Sequence, residues 1–124
     1  MGGIIWLASY PKSGNTWMRS FLHNLIQDET QSVHINDLSR LTYSDSQKHW
    51  YEKANNGPLD SLTPEQIMNL TPKAQRIMTE SRKESVFVKT HNALVSNWGV
   101  PYITADETAG ALVIVRNPLD VVIS

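Results

Sequence analysis

The chain reads as an α/β protein built on a doubly wound parallel sheet flanked by helices, with about three strands present. Three observations predict this. Apolar runs at 4–7, 86–89 and 111–115 have strand length, and the last is continuous enough for a parallel strand buried on both faces. Segments with helical periodicity lie between them. Just past the end of each run comes a chemically capable side chain: Lys12, His91 and Arg116. In an open α/β sheet, ligands bind beyond the carboxyl ends of the strands, so this shared address points to one site.

The first run leads into Ala8-Ser9-Tyr10-Pro11-Lys12-Ser13-Gly14-Asn15-Thr16-Trp17 and then a helix. A strand, a tight loop and a helix N-terminus gather backbone N–H groups on one spot, and the helix dipole favours negative charge there. Lys12 adds a positive charge, and Ser13 and Thr16 add hydroxyls. The string departs from the Walker A pattern, which puts Lys and Ser/Thr directly after the last glycine. Here Lys12 precedes Gly14 by two residues and Asn15 follows it. Taken alone, Lys-x-Gly reads more readily as a turn with a solvated lysine; the whole string through Trp17 reverses that.

The helix after the loop carries Trp17, Met18, Phe21, Leu22, Leu25 and Ile26 as one apolar stripe facing the core. Arg19, Ser20, His23 and Asn24 fall largely on the other side, with His23 expected on the surface. Residues 28–62 are polar, with scattered aromatics and an Asn55-Asn56-Gly57-Pro58 loop signal, and are expected to be irregular with short helices. Thr63-Pro64-Glu65-Gln66 combines an N-cap, a proline at the first helical position and a capping-box glutamine. Thr71-Pro72 repeats the cap and opens a helix toward Arg82 with a charged, solvated face. The Val86 strand follows, then a loop through Asn97, Trp98, Gly99 and Pro101. After the Ala111 strand, Asn117-Pro118-Leu119-Asp120 starts a helix with Asn117 as its cap.

Composition bounds the function. The 124 residues fit at most one domain, and 40% hydrophobic with 19% charged residues is ordinary for a globular chain. A net charge of −1 argues against a nucleic-acid binder, so phosphate affinity must be local to the loop. The absence of cysteine excludes disulfides and thiolate metal sites. No run reaches the ~20 apolar residues of a membrane span, and the short N-terminal apolar stretch has no basic leader. The chain is expected to be cytoplasmic, with no membrane or nucleic-acid partner.

The loop string resembles the 5′-phosphosulfate-binding loop of sulfotransferases that use 3′-phosphoadenosine 5′-phosphosulfate (PAPS). Two further segments are similar to that family in the same order. Val86-Phe87-Val88-Lys89-Thr90-His91 resembles its catalytic segment, and residues 111–124 resemble its 3′-phosphate-binding segment. The resemblance implies a P-loop-type sheet, with 1–124 as the N-terminal part of a single sulfotransferase domain and the C-terminal part absent. It implies PAPS as cosubstrate, no metal, and a small-molecule acceptor bearing a hydroxyl or amine. His91 would be the general base, and Lys12 would stabilise the leaving phosphate. Ser13, Gly14, Asn15, Thr16 and Trp17 would hold the 5′-phosphate, and Arg116 and Ser124 the 3′-phosphate. Lys89 would line the acceptor pocket or be plain surface. Two other readings stand beside this one: an inactive fragment that binds the nucleotide, and another P-loop kinase or NTPase.

Overall fold

The computed structural model describes residues 2–27 and 34–124. Residues 28–33, the first part of the stretch expected to be irregular, lie outside the described residues. The strands are β1 (Ile4–Ser9), β2 (Thr42–Ser44), β3 (Val86–Thr90), β4 (Ser96–Asn97), β5 (Val100–Pro101) and β6 (Thr108–Ile114). The helices are α1 (Asn15–Gln27), α2 (Lys48–Asn55), α3 (Pro64–Asn69), α4 (Thr71–Glu80) and α5 (Pro118–Ile123).

Four of the strands make one parallel sheet in the order β2-β3-β1-β6. β1 takes an interior place because it is apolar toward both faces. Ile4 and Trp6 join Val86 and Val88 of β3 in a core closed by Trp50, Ala54, Ala74 and Met78 of α2 and α4. On the other face Leu7 meets Leu22 of α1 and Leu41, with Met18 and Phe87 packed beside them. Each such side chain contributes about 1.5–3 kcal/mol when fully buried. Helices on both faces give the doubly wound arrangement that the apolar runs predict. Trp6 Nε1 also donates to Thr108 Oγ1 at 2.9 Å, linking the middle of β1 to the first residue of β6.

The sheet has one strand more than the apolar runs mark. β2 lies within the stretch expected to be irregular, and with three residues it leaves no readable alternation. Its place is set by tertiary bonds: Arg19 Nε donates to Thr42 Oγ1 at 2.7 Å, and that hydroxyl donates to Leu38 O at 3.0 Å. Burial lowers the pKa of Arg19 from its usual value, although a guanidinium stays charged at any physiological pH.

α1 is turned away from its expected orientation. Leu22 is buried, but Trp17, Phe21, Leu25 and Ile26 are exposed, and His23, expected on the surface, is only 1% exposed. The cause lies at the helix start. Asn15 Nδ2 donates to Leu7 O at 2.9 Å and to Ser9 Oγ at 3.1 Å, which aims the face of Asn15, Leu22 and His23 at the sheet. At 3.6 residues per turn, Leu25, Phe21 and Trp17 then sit progressively farther round, from more than a quarter of a turn to about half a turn away.

Three smaller differences follow from local geometry. The expected loop near Asn97 is a hairpin of β4 and β5, turning on Trp98 and Gly99 with φ of 50° and 74°. Two successive positive φ values suit the twist of a two-residue hairpin, yet a tryptophan there carries no such signal. β6 is not buried on both faces. Among the described residues it pairs only with β1, and Val113 is 71% exposed. α4 is capped by Leu70 rather than Thr71, which is already its first residue. The Thr63–Gln66 capping box and the Asn117 cap form as expected. Among the described residues no helix is long and apolar enough to cross a membrane.

Candidate functional site

The loop between β1 and α1 is held in a shape that its sequence makes possible. Lys12 has φ of 66° and Gly14 has φ of 106°, flanking Ser13. The left-handed region is uncommon for a residue with a side chain, so Lys12 needs external support. Arg116 supplies it: Nη1 donates to the Lys12 carbonyl at 2.8 Å. Backbone turns of this kind direct successive N–H groups to one side, the concave arrangement that receives anions. Met18 N then bonds to Gly14 O at 3.0 Å and opens α1.

Asn15 closes the loop from beneath. It is only 5% exposed, and both donors of its amide are used on Leu7 O and Ser9 Oγ. Its Oδ1 is buried with no hydrogen-bond partner among the described residues. The side chain of Asn15 is therefore structural, and what it offers a ligand is its backbone N–H.

His91 follows the last residue of β3. Its Nδ1 lies 2.8 Å from the carbonyl of Ser9 and 3.4 Å from Ser9 Oγ. A carbonyl only accepts, so Nδ1 carries the proton and the neutral ring keeps its lone pair on Nε2. Ser9 thus joins the two halves of the site, holding Asn15 through its hydroxyl and His91 through its backbone.

Two cavities meet at His91. One, of about 630 Å³, is the loop groove, lined by Lys12, Gly14, Thr16 and Trp17 together with Lys89. The other, of about 620 Å³, is mostly apolar, lined by Tyr10, Val113, Val115 and Val122, with Ser9, Ser13 and Arg116 at its polar side. His91 lines both. The groove holds two ammonium groups and the start of a helix, and suits an anion. The other cavity suits a ligand with apolar bulk and an anionic or polar group turned toward Arg116 and His91.

The residues singled out from the sequence thus come together unevenly. Lys12, Gly14, Asn15, Thr16, Trp17 and His91 share the groove, while Ser13, His91 and Arg116 share the apolar cavity. Ser124 lines neither, and its hydroxyl donates to Val121 O at 2.7 Å. Sequence reading missed Ser9, and it missed Asp45, Thr90 and Asn92, which bond to one another beside His91. Serine and aspartate in loops are too common to stand out, and their partners are distant in sequence. Lys89, expected to line the acceptor pocket or be plain surface, lines the loop groove beside Lys12. Among the described residues no three His, Asp or Glu side chains form a metal-ligand set.

A family model described as "Sulfotransferase domain" matches residues 4–124. Comparison with curated proteins returned no match.

Proposed function

Because the chain belongs to the sulfotransferase domain family, whose chemistry is sulfuryl transfer, we propose that it takes PAPS as donor and a small molecule with a hydroxyl or amine as acceptor. The observation that carries this reading is the position of His91 between a cationic groove and an apolar cavity. With the 5′-phosphosulfate in the groove and the 3′-phosphate at Arg116 on the polar side of the apolar cavity, the donor spans both, and His91 at their junction is where the acceptor's reacting group meets it.

The residues present fit the donor. The 5′-phosphosulfate is an anion of the size the groove accepts, and the loop offers the backbone N–H groups of Ser13, Gly14, Asn15, Thr16 and Trp17. Thr16 adds a hydroxyl at the mouth. Arg116 is the residue for the 3′-phosphate, since its planar fork has donors to spare beyond the one given to Lys12 O. Ser124 is its proposed second contact, made with a hydroxyl now turned onto Val121 O.

Transfer follows from placement. The acceptor oxygen or nitrogen attacks sulfur in line, its bond to sulfur forming as the bond from sulfur to the bridging oxygen breaks. His91 Nε2 takes the acceptor's proton. A neutral ring with its proton on Nδ1 and its lone pair on Nε2 is able to do so. Negative charge collects on the 5′-phosphate of the departing adenosine 3′,5′-bisphosphate, where Lys12 neutralises it.

The test is calorimetric titration of the chain with adenosine 3′,5′-bisphosphate, beside Lys12→Ala, followed by turnover of PAPS with phenols, alcohols and amines. Saturable binding that Lys12→Ala abolishes, with transfer to at least one acceptor, is the expected result. Absence of binding by the folded chain overturns the proposal. Binding without transfer makes it a nucleotide-binding chain, and a preference for ATP with magnesium makes it a different P-loop enzyme.

A further inference from the structure

The turn that carries His91 is tied down from the opposite side by a group outside both cavities. Asp45 directly follows β2, and its backbone N–H donates to Lys89 O at 3.2 Å, extending the β2–β3 pairing by one residue. Its Oδ2 accepts two further bonds, from Thr90 Oγ1 at 2.5 Å and from Asn92 Nδ2 at 2.9 Å. Thr90 is fully buried, and its hydroxyl also accepts from Asn92 N at 3.0 Å. The residues on either side of His91 are thus bonded to each other and to one carboxylate oxygen. Bonds of this kind to an ionised acceptor are shorter and stronger than neutral ones.

We propose that Asp45, acting through Thr90 and Asn92, is a positioning residue that fixes the His91 turn so that Nδ1 donates to Ser9 O and Nε2 faces the site. This rests on the reading of His91 as the general base. His91 is exposed, and its ring is held on one side by Ser9. A single bond to a backbone carbonyl does not select a tautomer unless the backbone carrying the ring is itself fixed. β3 ends at Thr90, so its own ladder no longer fixes that backbone. The Asp45 clamp takes over at that residue.

The clamp is testable without substrate. Long-range proton–nitrogen NMR of the full chain, labelled on histidine, reads which imidazole nitrogen carries the proton, with His91→Gln assigning the signal. The wild-type ring should show the Nδ1–H form. Asp45→Ala and Thr90→Val should each shift it toward a mixture dominated by Nε2–H, whereas Thr90→Ser, which keeps the hydroxyl, should retain the wild-type signal. Thr90→Val preserves the buried shape, so it reports on the clamp if Asp45→Ala fails to fold. In turnover, both disruptive changes should lower kcat on the order of tenfold and leave the KM for the donor within about twofold.

An Nδ1–H signal that neither change moves would overturn the clamp, and a wild-type Nε2–H signal would overturn it together with the assignment of Nε2 as the base. A clamp that responds as expected, in a chain that binds no bisphosphate, would instead remove the sulfuryl-transfer reading and leave the positioning role standing.

Discussion

The loop end of β1 and the β6–α5 edge share one cavity but are built on opposite principles. At the loop end, polar groups are tied to one another: Asn15 to Leu7 and Ser9, Ser9 to His91, Arg116 to Lys12. Along β6 and α5, apolar side chains dominate and face outward: Leu112, Val113, Leu119, Val122 and Ile123 are all exposed. The groups of the candidate site therefore take their geometry from directional bonds, Arg116 included, while the exposed apolar side chains of β6 and α5 add surface with little positional constraint. The two regions should respond to substitution in different ways.

The sharpest contrast is chemical. His91→Ala should lower turnover about 100- to 10,000-fold, the range a general base contributes, while bisphosphate binding measured by calorimetry stays near wild type. Equal loss of binding and turnover would mean that the ring serves the groove rather than the proton.

Next in size is Asn15→Ala. It strips two donors from Leu7 O and Ser9 Oγ but also removes a buried oxygen that has no partner among the described residues, so the net cost is about 1–2 kcal/mol by urea unfolding. Bisphosphate affinity should fall with it, because the helix start is released. An unchanged affinity would separate the loop's shape from its anchor.

A smaller effect tests the packed face opposite α1. Burial, opposed in part by the hydrogen bond to Thr71, raises the Tyr51 pKa above its usual value near 10. The folded state then holds the proton more tightly than the unfolded state. This contribution is fully present below pH ~10 and is lost as pH rises through the folded pKa. Tyr51→Phe should flatten the alkaline decline of stability followed by thermal unfolding. The least effect is expected at the edge: Val122→Ser should change stability by no more than about 0.5 kcal/mol, since the side chain is already exposed. A larger loss would show that the edge is covered in solution.

Sequence reading reached the parts governed by local rules. The runs at β1, β3 and β6 are apolar because they lie in a sheet, the capping box at Thr63 closes within four residues, and the Lys12–Gly14 loop carries its glycine where a positive φ is required. It failed where a partner far along the chain decides. The rotation of α1 follows from bonds made by Asn15 to β1, and the apolar stripe through Trp17 and Phe21 gave the wrong face because stripe position says nothing of those bonds. β2 is three residues set by Arg19, and the Asp45–Thr90 bond joins positions 45 apart. For the same reason Lys12, His91 and Arg116 were legible as an ensemble through their shared place beyond strand ends, whereas the residues that hold them were not.

The bonds that shape the loop also set when it can form. Ser9 and His91 are 82 positions apart, and Lys12 and Arg116 are 104. During synthesis the loop precedes its partners, so it has no support from His91 until β3 has emerged, and Lys12 has none from Arg116 until that residue has. Parallel pairing over such separations closes slowly, because the loss of chain entropy precedes the contacts that offset it. The anion groove is thus begun by the Lys12 loop and completed only by a residue 104 positions later, so any affinity that depends on its shape arrives only after both have been made and have met.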